Sequence, residues 1–172
     1  DADLVAATLS RRAGEPVMLE YSRRGDWLGV HGRWPTVQNY KIGVKDDGTV
    51  TAMELRGYSG MGPYRKNSGG IGGMDAYGCP NRYREIHPVY TNRTTSGNFR
   101  APSEPHGFYG VENMMDEVAY QIGMDPVEFT KINMRRPTEE QQFTNYSLEE
   151  VIDDGVERFN WQARRKVLPG SD

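Results

Sequence analysis

The stretch from Tyr40 to Leu55 leaves the chain few choices. Tyr40, Ile42 and Val44 alternate with Lys41, Gly43 and Lys45, so one side of the segment is apolar and the other wet, the pattern of a half-buried strand. Asp46-Asp47-Gly48 follows as turn chemistry, its glycine available for a positive φ. Val50, Ala52 and then Met53 and Leu55 return as a second strand, and the slip in alternation before Met53 predicts a bulge. A hairpin with one apolar face is unstable until another layer covers it, so the remainder of the chain must supply that layer.

The C-terminal half contains suitable helices. Pro105 fits a first helical position, and Phe108, Val111, Met115, Val118, Ala119 and Ile122 form a stripe at helical spacing that stops at Gly123. Asp125-Pro126-Val127-Glu128 reads as cap, first turn and capping-box partner of a short helix with Phe129 and Ile132 facing inward. Ser147-Leu148-Glu149-Glu150 reads as a second capping box, opening a helix with Leu148, Val151, Ile152, Val156 and Phe159 on one face. Residues 3–13 read as a further helix stopped by Gly14, Val17–Tyr21 as a strand and 24–36 as turn-rich. Arg84–Tyr90 reads as a strand that Pro88 pushes to a sheet edge. Residues 57–78 read as a glycine-rich loop and 135–146 as a linker between helices. The fold expected is α+β: a mixed or antiparallel sheet with a hairpin, packed with three to four helices.

Composition narrows the function classes. Apolar residues make up 36% and charged residues 26%, a polar balance that suits a piece leaning on partners. The net charge of −3 and the lack of a long basic run give no nucleic-acid footprint, and no apolar stretch is long enough for a membrane span. Cys79 is the only cysteine, which excludes an internal disulfide and fits a reducing compartment, hence the cytoplasm, with the periplasm still open.

Few residue patterns carry chemistry. Gly69-Gly70-Ile71-Gly72-Gly73 lacks the Gly-Lys-Ser/Thr of a phosphate loop and the strand and helix that a dinucleotide fingerprint needs, so a structural loop or a close backbone approach to a cofactor remains. His31, His87 and His106 are too scattered to predict a metal site. Glu112, Asp116 and Glu117 read as solvated helix charges. Arg100 is different: it sits in a short loop just before a helix, where a guanidinium and a helix start together favour an anion, an ordinary structural arginine being the alternative.

The run Tyr90-Thr91-Asn92 … Gly97-Asn98-Phe99-Arg100-Ala101-Pro102 … Pro105-His106-Gly107 resembles the molybdenum hydroxylases, the xanthine dehydrogenase and aldehyde oxidase family, whose large subunits carry a similar Thr-Asn, Phe-Arg-Gly and Pro-Gln-Gly. The resemblance extends upstream through Glu15-Pro16-Val17 and Lys41-Ile42-Gly43 … Asp47-Gly48-Thr49-Val50. Downstream it runs through Glu112-Asn113-Met114-Met115-Asp116-Glu117, Gly123-Met124-Asp125-Pro126-Val127-Glu128-Phe129 and Lys131-Ile132-Asn133-Met134. It implies that residues 1–172 are a middle fragment of the molybdopterin-binding domain of a larger subunit. The family's catalytic glutamate is expected beyond the C-terminal end, so no catalytic or metal-ligating residue is assigned in this chain. The start at Asp1-Ala2-Asp3-Leu4, with neither initiator Met nor leader, fits that expectation.

The resemblance further implies a molybdenum–pterin cofactor, as molybdopterin or its cytosine dinucleotide form, bound in part by Phe99, Arg100 and Ala101. [2Fe-2S] clusters and FAD are expected on other domains or subunits, which with the remainder of the large subunit are the expected partners in a homo-oligomer. The implied reaction is hydroxylation of an aldehyde or N-heteroaromatic substrate with water as oxygen source. Three departures stand out: Ala101 and His106 replace the family's Gly and Gln, and Pro102 replaces a frequent aromatic. Counting back by the spacing of the substrate-orienting arginine in purine-oxidising members reaches Ser68, which argues against a purine. Two other readings stay open: a non-catalytic assembly or binding module that kept the fold, and one chain of a split-subunit enzyme.

Overall fold

The computed structural model describes residues 2–64, 69–138 and 143–164. Its centre is a three-stranded sheet in the order β1-β2-β3: β1 is Thr36–Val44, β2 Val50–Gly62 and β3 Asn81–Tyr90. The hairpin pairs Tyr40 with Leu55 and Ile42 with Met53, and its turn is the predicted one: Gly48 takes φ +85°, and the Thr49 N–H donates to Asp47 Oδ1 at 2.9 Å. The register slips where Gly43 faces Ala52 but Val44 faces Val50, leaving Thr51 as the extra residue. This bulge explains the sequence pattern, because it lets Val50, Met53 and Leu55 all point into the core.

β3 runs parallel to β2 and forms the far edge, where Pro88 needs no ladder donor. A parallel return requires a crossover, and residues 63–80 provide it with only a 3-10 turn at Met74–Ala76 among the described residues. The segment 57–78 is therefore not one loop. Its first residues continue β2 to Gly62, because Gly57 and Ser59 keep the inward alternation begun at Met53.

The helices are α1 (Ala2–Ala13), α2 (Arg23–Gly29), α3 (Glu104–Gln121), α4 (Pro126–Asn133) and α5 (Leu148–Phe159). The result is an α+β fold whose core joins Val50, Met53 and Leu55 of β2, Ile71, Met74 and Tyr77 of the crossover, Val111, Met115, Val118 and Ala119 of α3, and Phe129 of α4. A fully buried side chain such as Leu55 or Phe129 contributes about 2–3 kcal/mol by leaving water. Cys79 is also buried, its thiol 3.3 Å from the Asn81 carbonyl. No helix among the described residues is long and apolar enough to cross a membrane.

Several expectations are corrected. Val17–Tyr21 forms no strand, and the turn-rich reading of 24–36 fails at α2, which Ser22 caps by accepting from the Gly25 N–H at 3.1 Å. Ile132 is exposed, because α4 is only two turns long and its inward side is filled by Phe129 and Asn133. Ser147 does not cap α5; its hydroxyl turns to Asn145 instead. The α5 stripe is not buried: Leu148, Val151 and Phe159 are exposed, and only Ile152 and Val156 are half-buried. Polar contacts tether this helix, through Lys131–Asp153 at 2.6 Å and through Trp161 and Arg164 on Asp125. Desolvation works to raise the Asp125 pKa, but the Arg164 and Trp161 hydrogen bonds outweigh it and hold the carboxyl below its ordinary value. Within the 135–146 stretch, residues 139–142 lie outside the described residues, as does Ser68.

Asn133 locks α4 to the hairpin. Its Oδ1 accepts from the Val50 N–H at 2.8 Å, and its Nδ2 donates to the carbonyls of Gly48 and Phe129, both at 2.9 Å. All of this is buried, so losing the side chain strands a backbone donor and acceptor without water. Asn133→Ala is expected to lower folding stability by about 3 kcal/mol, read as a drop in the urea midpoint; a change within error would show that the pin is dispensable.

Candidate functional site

The loop 98–103 is held at both ends before its side chains are considered. Upstream, the Ser96 N–H donates to the Met61 carbonyl at 2.9 Å, the Ser96 hydroxyl to the Gly60 carbonyl at 2.9 Å, and the Gly97 N–H to the Gly32 carbonyl at 3.0 Å. Residues 32–35 and 95–97 thus flank the end of β2. Downstream, the Gly72 N–H donates to the Ser103 carbonyl at 3.0 Å, and Gly72 passes so close to α3 that a Cβ on Gly107 would fall on its backbone. The glycine run Gly70–Gly73 therefore serves as a seat for the first turn of α3, and Gly73, at φ +95°, supplies the bend.

Between these anchors stand Phe99, Arg100 and Ala101, all exposed. Ala101 has φ +53°, a left-handed conformation that costs an L-residue with a Cβ about 1–2 kcal/mol. Arg33, which the sequence gave no reason to single out, reaches across from the strand-like segment beside Ser96. Its Nη1 donates to the Ala101 carbonyl at 2.7 Å and to that of Pro102 at 3.4 Å, its Nη2 donates to the Arg100 carbonyl, and its guanidinium lies 5.1 Å from the centre of the Phe99 ring. A cavity of about 1000 Å³ opens on this side, lined by Arg23, His31, Arg33, Asn92, Arg93 and Phe99 among others. A second, of about 520 Å³, opens between Gly70–Gly73, β3 and Ser103.

The helix start is less anion-hungry than Arg100's position suggests. Glu104 folds back so that the Ser103 hydroxyl and N–H donate to its carboxylate at 2.6 and 3.1 Å, and these bonds hold its pKa below the ordinary value. The positive end of α3 is thus partly satisfied from within, and any further anion attraction at the loop falls to the guanidinium groups.

The histidines are dispersed. His106 Nε2 sits 2.7 Å from the Gly70 carbonyl, His87 stacks on Tyr58 beside Glu85, and His31 packs on Gly97. Buried among them, Trp34 Nε1, Ser59 Oγ and His106 Nδ1 have no hydrogen-bond partner among the described residues.

The Molybdopterin cofactor-binding domain model matches residues 2–134. The chain belongs to that family. It is 28% identical to the aldehyde oxidoreductase molybdenum-binding subunit PaoC of Escherichia coli O157:H7, over 97% of this chain and 23% of the relative. It is 30% identical to the xanthine dehydrogenase molybdenum-binding subunit of the same organism, over 94% and 23%. Among solved structures, the aldehyde oxidoreductase from Desulfovibrio gigas superposes with TM-score 0.78 at 28% identity, covering 93% of this chain and 19% of that one. The chain thus spans about a quarter of the length of the curated relatives it matches.

Within this molybdopterin cofactor-binding domain, a second polar cluster lies on the core side of α3. The Tyr77 hydroxyl donates to Glu112 Oε2 at 2.6 Å. Glu112 is exposed as a residue, yet loss of water around its carboxyl raises its pKa against the opposing pull of that hydrogen bond; desolvation raises Asp116 as well. Reading these as plain solvated charges missed the tyrosine, which lies far away in sequence.

Ala101 offers a direct test of loop geometry. Glycine takes φ +53° without steric cost, offset in part by the greater entropy of its unfolded chain. Ala101→Gly is expected to stabilise the domain by up to about 1 kcal/mol, seen as a higher melting temperature; destabilisation would mean that this residue does not adopt the left-handed conformation.

Proposed function

We propose that this chain forms one wall of the molybdenum–pterin site of a larger oxidoreductase. The observation that carries the reading is the exposure of Phe99 and Arg100 on a loop whose backbone is firmly tied, within a molybdopterin cofactor-binding domain. A residue serving packing alone would sit in the core; these two stand outside it, on a fixed frame.

The loop suits such a cofactor chemically. Arg100 offers charge-assisted donors to oxyanionic ligands, Phe99 supplies an apolar wall that limits water, and Ala101 contributes backbone. When bound, the cofactor supplies two-electron oxidation of an electron-poor carbon with oxygen taken from water, its electrons leaving through iron–sulfur clusters and flavin carried elsewhere in the complex. The general base comes from another part of the large subunit. Pro102 provides no aromatic face for a purine ring, which favours aldehydes, other N-heteroaromatics or related substrates. The cofactor is molybdopterin or its cytosine dinucleotide form, and the assembly is a cytoplasmic homo-oligomer.

Arg100→Ala in the complete enzyme is expected to lower kcat by about 10²–10³-fold, while the folding midpoint shifts by less than about 0.5 kcal/mol, as for a surface substitution. Steady-state kinetics with an aldehyde and a dye acceptor, beside molybdenum and pterin analysis, check this. A loss of folding stability with unchanged kcat, or a native complex lacking molybdenum and pterin, would contradict the reading.

A further inference from the structure

We infer that Arg33 is the positioning residue of the site, fixing which way the peptide groups of the Phe99–Pro102 loop point; the inference rests on the function proposed above. Three consecutive carbonyls, those of Arg100, Ala101 and Pro102, accept from one guanidinium, and the same group lies over the Phe99 ring. No carboxylate among the described residues forms an ion pair with Arg33. Its charge is spent on backbone dipoles and a ring face, an arrangement that orients a loop and leaves net positive charge beside it.

The geometry of the peptide unit carries the consequence. In a planar trans peptide the C=O and the following N–H point in opposite directions. With the Arg100 carbonyl turned to Arg33, the Ala101 N–H must face away from Arg33. Pro102 has no N–H, and the Ser103 N–H that follows the Pro102 carbonyl is taken by the Glu104 carboxylate at 3.1 Å, so the Ala101 N–H is the outward donor that Glu104 does not occupy. The fork also holds Ala101 at its left-handed φ, a conformation the residue would leave if the carbonyls were released. Arg33 is itself fixed: Gly32 pairs with Ser96 and accepts from Gly97, Pro35 accepts from Gly60 at 2.9 Å, and Trp34 is buried. The clamp therefore links the segment before β1 to the loop before α3 and transmits the rigidity of the sheet to the cofactor-facing side.

A lysine keeps the charge but offers a point donor rather than a planar fork, and cannot hold three carbonyls at once. The test uses the complete holoenzyme carrying Arg33→Lys, Arg33→Ala or Arg100→Ala, with kcat and KM, molybdenum and pterin content, and hydrogen–deuterium exchange of the peptide spanning 97–104. Both Arg33 variants are expected to exchange at least about tenfold faster in that peptide and not elsewhere. A misplacement of this kind costs up to about 10²-fold in kcat, with KM less affected, and added guanidinium should partly restore Arg33→Ala but not Arg100→Ala. Two results overturn the inference: Arg33→Lys and Arg33→Ala matching the wild type in loop exchange and kcat, or exchange rising throughout the domain with no rescue, which marks a merely structural arginine. Failure of the underlying reading looks different, since Arg100→Ala would then leave turnover unchanged or the holoenzyme would lack the metal and pterin.

Discussion

The fit of Gly72 against Gly107 is the constraint from which the rest of the site follows. The two backbones approach so closely that Gly107 has no room for a side chain, since a Cβ there would fall on the Gly72 backbone, and a single methyl at Gly107 would cost about 1–3 kcal/mol through forced displacement. This contact seats the first turn of α3 on the crossover between β2 and β3. It fixes Ser103, and with Ser96 anchored on the end of β2 it leaves the chain between them only a short span to bridge. A loop so confined can tolerate an alanine at φ +53° because its ends and its carbonyls, together, determine its path.

Elements whose signals are local were legible in the sequence. The Asp46-Asp47-Gly48 turn, the middle of the α3 stripe from Val111 to Ala119 (its ends, Phe108 and Ile122, are exposed) and the Asp125 cap, which accepts from the Val127 N–H at 2.9 Å, depend on neighbours within a few residues. α2 was hidden because its seven residues carry two arginines and two glycines, leaving Ser22 as its only start signal. The extension of β2 into the glycine-rich stretch was hidden for a similar reason: Gly57, Gly60 and Gly62 read as loop, yet they are small because Ile71, Pro35 and Thr95 pack on them. The parallel pairing of β3 and the Asn133 pin join residues distant in sequence, and no periodicity reports such contacts.

At the candidate site, the motif resemblance singled out Phe99-Arg100-Ala101, whereas nothing in the sequence announced how that loop is held. Arg33 lies in a segment that reads as turn-rich, and its partners are carbonyl oxygens, which have no sequence signature. Ala101 stands where the family carries a glycine. It proves to occupy a backbone conformation that glycine would adopt at lower cost, so the loop keeps its shape against the local preference of its own residue.

One guanidinium joins a rigid α+β frame to an outward-facing loop, which we propose faces a molybdenum–pterin cofactor. The most direct measurement is a crystal structure of the whole cofactor-loaded subunit, with the metal located by anomalous scattering at the molybdenum edge. The account predicts the metal–pterin group in contact with the Arg100 side chain and the Ala101 N–H, on the side of the loop opposite Arg33. A molybdenum position remote from residues 99–101, or on the Arg33 side of the loop, would contradict it.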